Sequence, residues 1–288
     1  MADLAAGRHA RVVRSDDGYF GPGSVTWRVL ADPAAGPGGI SSLFMQALHP
    51  LAMAGVEQHS DFHDAFWPRL QRTAEYVMTV TFADRAKVDG AAARVRAAHE
   101  WVRGTDPVTG RPYAAGDPDL LRWMHVTEVS SFLEAVRRAG APISDAEADE
   151  YYREQVVAAQ LLGAVDVPAS CADVADYVAD VRRTDLVASS TSRAAALRLL
   201  VPPMSLRTTL TTPARPAWTA LAALGFALQP RWARRLHGVP TLPTTDLAAT
   251  LTLRALRTTV LALPEDWRRG PVAREALARE REALSEAS

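Results

Sequence analysis

Between Arg69 and Val136, three helical patterns each place a polar or metal-capable side chain on a face whose other residues are apolar. Burying such groups costs free energy unless they are paired or ligated, so this segment must supply partners or take up a ligand. The first pattern, Pro68 to Phe82, carries Arg69, Arg72, Thr73 and Tyr76 on neighbouring faces, beside an apolar stripe of Leu70, Ala74, Val77 and Thr81. The second, from about Asp84 to Arg103, aligns Val88, Ala92, Val95, His99 and Val102. The third opens with Asp117 as N-cap and Pro118 in the first turn, and aligns Leu121, His125, Val129, Phe132 and Val136. A histidine on such a stripe is as a rule a hydrogen-bonded core residue, and two arginines on a helix are as a rule a solvated face. Core and ligand roles therefore both stay open at this level.

The rest of the chain also reads as helix. Residues 1–40 look irregular, because glycines and prolines such as Gly21-Pro22-Gly23 and Asp32-Pro33 are turn signals. Gly36, Gly38 and Gly39 precede an apolar helix, yet without a preceding strand or a Lys-Ser/Thr ending they make a weak phosphate loop. Ser41 or Ser42 caps a helix containing Leu43, Phe44, Ala47, Leu48 and Leu51, and Pro50 is expected to kink or break it beside His49. Ser144 to Glu147 has the capping-box pattern. Further helices are expected at about 190–201, 214–228, 230–237, 244–262 and 271–284, separated by prolines. No stretch alternates with period two. The expectation is an all-α chain: an irregular segment 1–40, a single multi-helix domain 41–268 and a solvated C-terminal helix or tail 269–288.

Composition excludes several function classes. With 32 basic and 33 acidic residues the formal net charge is -1, which gives no reason to expect a nucleic-acid partner. A single cysteine, Cys171, rules out an internal disulfide framework. Met1 to Ser15 lacks the apolar core of a secretory signal, and the apolar run Pro216 to Pro230 is too short to span a bilayer. A cytoplasmic protein without stable membrane insertion is the expectation. His59 and His63 stand four apart with no third ligand nearby in sequence, and nucleophile-elbow, P-loop and dinucleotide fingerprints are absent. Inward histidines on separate helices with an arginine pair on another suit a haem pocket: one neutral imidazole as axial ligand, arginines beside propionates or bound dioxygen.

The same residues carry a family resemblance. His49-Pro50, Gly55-Val56 and His59-Ser60 are followed by Arg69-Leu70-x-Arg72-Thr73, by Arg94-Val95-Arg96-x-x-His99-x-x-Val102-x-Gly104, and by Asp117-Pro118-x-Leu120-Leu121-x-Trp123-x-His125. In this order they resemble the oxygenase MpaB / latex clearing protein family, over roughly residues 20–265. The resemblance implies an all-α fold with a globin-like core, haem b (iron) as cofactor, and oxygen-dependent chemistry on a hydrophobic, isoprenoid- or lipid-like small molecule. It implies His99 as the proximal iron ligand, with His125 as a supporting pocket residue and fallback ligand. It matches Arg69 and Thr73 to the distal-side helix and puts Arg72 where rubber-cleaving members carry a lysine. Arg69, Arg72 and Thr73 are thus the expected catalytic residues, and Arg69, Arg72, His49 and His59 the expected further haem contacts. Glu57 is the nearest counterpart of a catalytic glutamate, and an electron donor stays unassigned. The alternatives are a non-catalytic haem sensor or carrier, and a haem-free helical ligand-binding protein.

Overall fold

The computed structural model describes residues 17–59 and 66–286. The expectations concerning Met1 to Ser15 and His63 lie outside them. The first helices are α1 (Val25–Leu30), α2 (Ala35–Gln46), α3 (Pro50–His59), α4 (Phe66–Phe82) and α5 (Arg85–His99). After a small hairpin come α6 (Pro118–Arg138), α7 (Asp145–Gln160), α8 (Cys171–Thr184), α9 (Ser190–Leu200) and α10 (Leu206–Thr211). The last are α11 (Ala214–Leu228), α12 (Arg231–Leu236), α13 (Pro243–Leu261), α14 (Glu265–Arg268) and α15 (Pro271–Glu286). The all-α reading is borne out. The strands β1 (Arg103–Thr105) and β2 (Pro112–Ala114) pair antiparallel with Gly104 opposite Tyr113. Three residues are too few to show an alternating pattern, so the sequence reading missed them and placed residues 100–103 in the preceding helix.

The centre of the molecule is α2, packed between α6 and α11. Here the expectation of an irregular segment up to residue 40 is corrected, because the first half of α2 falls inside it. Pro37 lies in the first turn, where its missing N–H costs little. The glycines lower helix propensity, but they let backbones meet. A Cβ on Gly38 would lie 2.7 Å from the Ser131 carbonyl oxygen and 3.1 Å from Phe132 Cα. On the other flank, a Cβ on Gly225 of α11 would meet Ile40 Cγ2 at 2.7 Å and the Pro37 carbonyl oxygen at 3.2 Å.

Polar groups close the helix ends. Asp117 accepts from the Asp119 and Leu120 amides, and Ser144 and Glu147 form the expected capping box. Glu154 of α7 accepts from the amides of Val25 and Thr26, so one helix side chain caps another helix's N-terminus. Pro50 does break the α2–α3 run, and the Gln46 carbonyl released there accepts from the His49 amide at 3.1 Å. The C-terminal helix is docked rather than free. Ala273 and Ala276 of α15 are buried in the main core, and Arg279 donates to the Phe82 carbonyl at 2.8 Å.

The α2–α6 contact yields a paired prediction. Gly38→Ala must move backbone and is expected to cost about 2–3 kcal/mol. Gly36→Ala, which meets nothing within 4 Å, is expected to be neutral or to stabilise by up to about 1 kcal/mol. Urea unfolding of both variants checks this, and equal midpoints would refute the close contact.

Candidate functional site

Helix α4 is anchored at both ends, by Phe66 at its start and by its last turn. Val80, Thr81 and Phe82 are buried, whereas Gln71 to Glu75 are exposed. Arg69 is half-buried, and its guanidinium is pushed below the usual arginine range by burial and then by neighbouring Arg72. Arg72 is exposed, and the Thr73 hydroxyl donates to the Arg69 carbonyl at 3.1 Å. One turn on, the Tyr76 hydroxyl is buried without a hydrogen-bond partner. Burial raises its phenol, the Glu128 carboxylate raises it further, and Arg96 opposes the shift. Tyr76 of α4 is thus within electrostatic reach of Arg96 of α5 and Glu128 of α6. Arg96 in turn donates to the Leu161 carbonyl at the end of α7.

Each of the other two helices brings a histidine. His99 is the last residue of α5, half-buried, with Nδ1 enclosed and unpartnered. His125 lies on α6 with Nε2 enclosed and unpartnered. Burial lowers both imidazoles, His125 to about 4, so both rings are neutral near pH 7. Glu128 follows His125 by three residues on α6. The residue keeps some accessible surface, and desolvation alone pushes its carboxyl up to about 7. No hydrogen bond to that carboxyl is found among the described residues.

Three unpartnered polar atoms thus sit on three successive helices: Tyr76 Oη, His99 Nδ1 and His125 Nε2. Each costs on the order of 1–3 kcal/mol if nothing satisfies it. A bound group could satisfy each of these atoms. A neutral imidazole is what a metal requires. Among the described residues no three His, Cys, Asp or Glu side chains come together to hold a metal ion. The donor set suits a metal that arrives with most of its ligands, as iron does in a haem.

The remaining expected site residues sit elsewhere. His49 is buried where α2 meets α3, its ring 6.0 Å from that of Trp123. Its charged neighbours are Asp185, Arg111, Asp106 and Asp117, none of them on α4 or α5. His59 is exposed and its Nε2 lies 2.9 Å from the Arg103 carbonyl oxygen, clamping α3 to β1. Glu57 is exposed on the same last turn of α3. Sequence reading brought out Arg69, Thr73, His99 and His125 but overlooked Glu128. Its signal was the His125-x-x-Glu128 spacing, which sets an acid and a base one turn apart on a largely apolar helix.

The pair gives the unliganded protein opposite pH slopes. Glu128 holds its proton in the folded state over the window from about 4.5 to about 7. Its contribution to stability therefore falls as pH rises through that window. His125 stays neutral in the folded state between its usual 6.5 and about 4, so its contribution is lost as pH falls through that range. Glu128→Gln removes the first slope only. Relative to the parent, this variant is expected to gain on the order of 2 kcal/mol between pH 5 and pH 8. Denaturant midpoints at the two pH values measure it, and an unchanged difference would show that the carboxyl is well solvated.

The family described as "ER-bound oxygenase mpaB/B'/Rubber oxygenase, catalytic domain" matches residues 27–262. That match begins within α1 and ends just after α13. No curated protein and no solved structure matches the chain.

Proposed function

Because the chain belongs to the family of the ER-bound oxygenase mpaB/B'/rubber oxygenase catalytic domain, and so to an oxygenase family, we propose that it is a haem b enzyme. It oxidises a hydrophobic small molecule with dioxygen. The observation that carries this reading is that His99 and His125 each hold a buried ring nitrogen without a hydrogen-bond partner.

In this reading His99 holds the iron. Its burial at the end of α5 keeps a ring nitrogen lone pair free at neutral pH. When bound, the haem iron supplies the activation of dioxygen. His125, one helix away, orients the pocket and stands in as ligand should His99 prove structural. Arg69 and Arg72 offer fixed positive charge to propionates or to a reduced oxygen species. A guanidinium does not lose its proton to ligate iron as a lysine amine can, so Arg72 would supply charge and hydrogen-bond donors rather than a metal ligand.

The surrounding residues manage protons. Glu128, with its carboxyl near half-protonation at pH 7, can hold or release a proton at Oε. The Tyr76 hydroxyl, raised and unpartnered, remains a neutral donor. The Thr73 hydroxyl, bound to the Arg69 carbonyl, steadies the turn that presents Arg69.

The test is an absorption spectrum of protein expressed with haem precursor, oxidised and then reduced by dithionite. A Soret band near one haem per chain is expected. His99→Ala should lose it, while His125→Ala should keep it with an affinity lower by about tenfold. A featureless spectrum after haemin titration would overturn the reading in favour of a haem-free helical ligand-binding protein.

A further inference from the structure

The stretch from Leu186 to Thr245 carries seven arginines and no acidic residue, although the whole chain has 32 basic against 33 acidic residues. Positive charge is thus concentrated on α9 to α12 in a molecule that is nearly neutral as a whole. Part of it is neutralised within the fold, where Arg231 and Arg234 of α12 share the Asp246 carboxylate of α13. Arg207, by contrast, is exposed on α10, and the Nε of Arg215 in the first turn of α11 has no hydrogen-bond partner. The first carboxylate along α4 after Trp67 is Glu75, two turns away and already accepting from Gln71 at 2.7 Å.

Large apolar side chains surface in the same stretch. Leu197 of α9 is 64% exposed, and Leu206 and Leu210 of α10 are 74% and 75% exposed. Leu206 and Leu210 are four residues apart, so they share one helical face. Helix α10 buries none of its own residues. A cleft of about 580 Å³ lined by Trp67, Thr208 and Trp218 undercuts it on the side of α4 and α11. The ridge is nevertheless held in place. Trp67 Nε1 donates to the Pro203 carbonyl at 2.7 Å, and the Ser205 hydroxyl caps α10 by accepting from the Thr208 amide.

The shape and charge of this ridge select its partner. A convex helix with outward leucines offers no groove to a peptide or a partner helix. A second copy meeting the same face across a two-fold axis would set arginines against arginines, with no carboxylate in the stretch to pair them. An anionic lipid surface meets both needs: leucines enter the acyl boundary, and guanidinium groups pair with phosphate oxygens. No helix among the described residues is long and apolar enough to cross a membrane, so the contact made by α10 is interfacial.

We infer that the α9–α10 segment docks the protein on an anionic lipid surface, with Leu206 and Leu210 inserted and Arg207 and Arg215 on the phosphates. The docking goes beyond the proposed oxygen chemistry and requires no haem.

The experiment is co-sedimentation of the full-length protein with vesicles of phosphatidylcholine, either pure or containing about one-third phosphatidylserine, at about 0.1 M salt. The protein is expected to pellet with the mixed vesicles and to stay in solution with the neutral ones. The double variant Leu206→Ser with Leu210→Ser should weaken partition roughly tenfold or more, and Arg207→Gln about fivefold. Circular dichroism should be unchanged in both, because α10 buries nothing. Should the double variant fail to fold, Arg207→Gln alone decides. Arg183→Gln removes the same charge from an exposed position on α8 and should bind like the parent. No pelleting, equal pelleting with neutral vesicles, an equal loss in Arg183→Gln, or a dimer that only the leucine variant dissolves would each overturn the assignment. Vesicle binding by protein that shows no haem band would sink the haem reading and leave the docking surface standing.

Discussion

The contact of α2 with α6 through Gly38 and Gly39 fixes the position of everything that could do chemistry here. Backbone packed on backbone leaves no side chain whose rotamer could absorb an error, because a Cβ at Gly38 would lie 2.7 Å from the Ser131 carbonyl oxygen. Phe132, which faces both glycines, stands four residues after Glu128 and seven after His125 on the same helix. The angular positions of those two groups follow from that contact. Gly225 repeats the device on the α11 side, so α2 is held from both flanks by missing side chains.

Around this rigid centre the molecule tolerates an electrostatic arrangement that a simple core would avoid. Glu128 and His125 stand one turn apart as acid and base, yet burial drives both toward their neutral forms. Removing both groups from water leaves each without a protein partner, a cost that packing elsewhere offsets. A fold selected for stability alone would fill these positions with apolar side chains. The unpartnered phenol of Tyr76 and the unpartnered imidazoles of His99 and His125 are the groups on which the haem proposal rests.

Helix α4 connects the two halves of the molecule's chemistry. Its C-terminal half is buried against α1 and α15, and its N-terminal half is largely exposed. Trp67 packs edge to face with Trp218, Arg69 and Arg72 carry charge, and Tyr76 feels the charges of Glu128 and Arg96. One helix thus passes from aromatic surface to cation to proton donor in three turns. No helix among the described residues is long and apolar enough to cross a membrane.

The sequence by itself determined the helices, because periodicity, caps and prolines act locally. Asp117-Pro118 and the Ser144–Glu147 box start their helices where their chemistry requires, and Pro50 breaks the run where its ring must. The order of the motifs with His99, His125 and Arg69 was equally legible, as was the family they point to. Local signals failed where a residue's role depends on what packs against it. Gly36 to Gly39 reads as a breaker, yet it lies inside α2 because α6 and α11 return in packing what glycine loses in propensity. His49 and His59 belong to the motifs, but the fold directs one to Trp123 and the other to the Arg103 carbonyl. Only tertiary structure partly desolvated Glu128 and brought Trp67 and Trp218 together. Desolvation and aromatic packing are set by residues distant in sequence, and no local pattern records them.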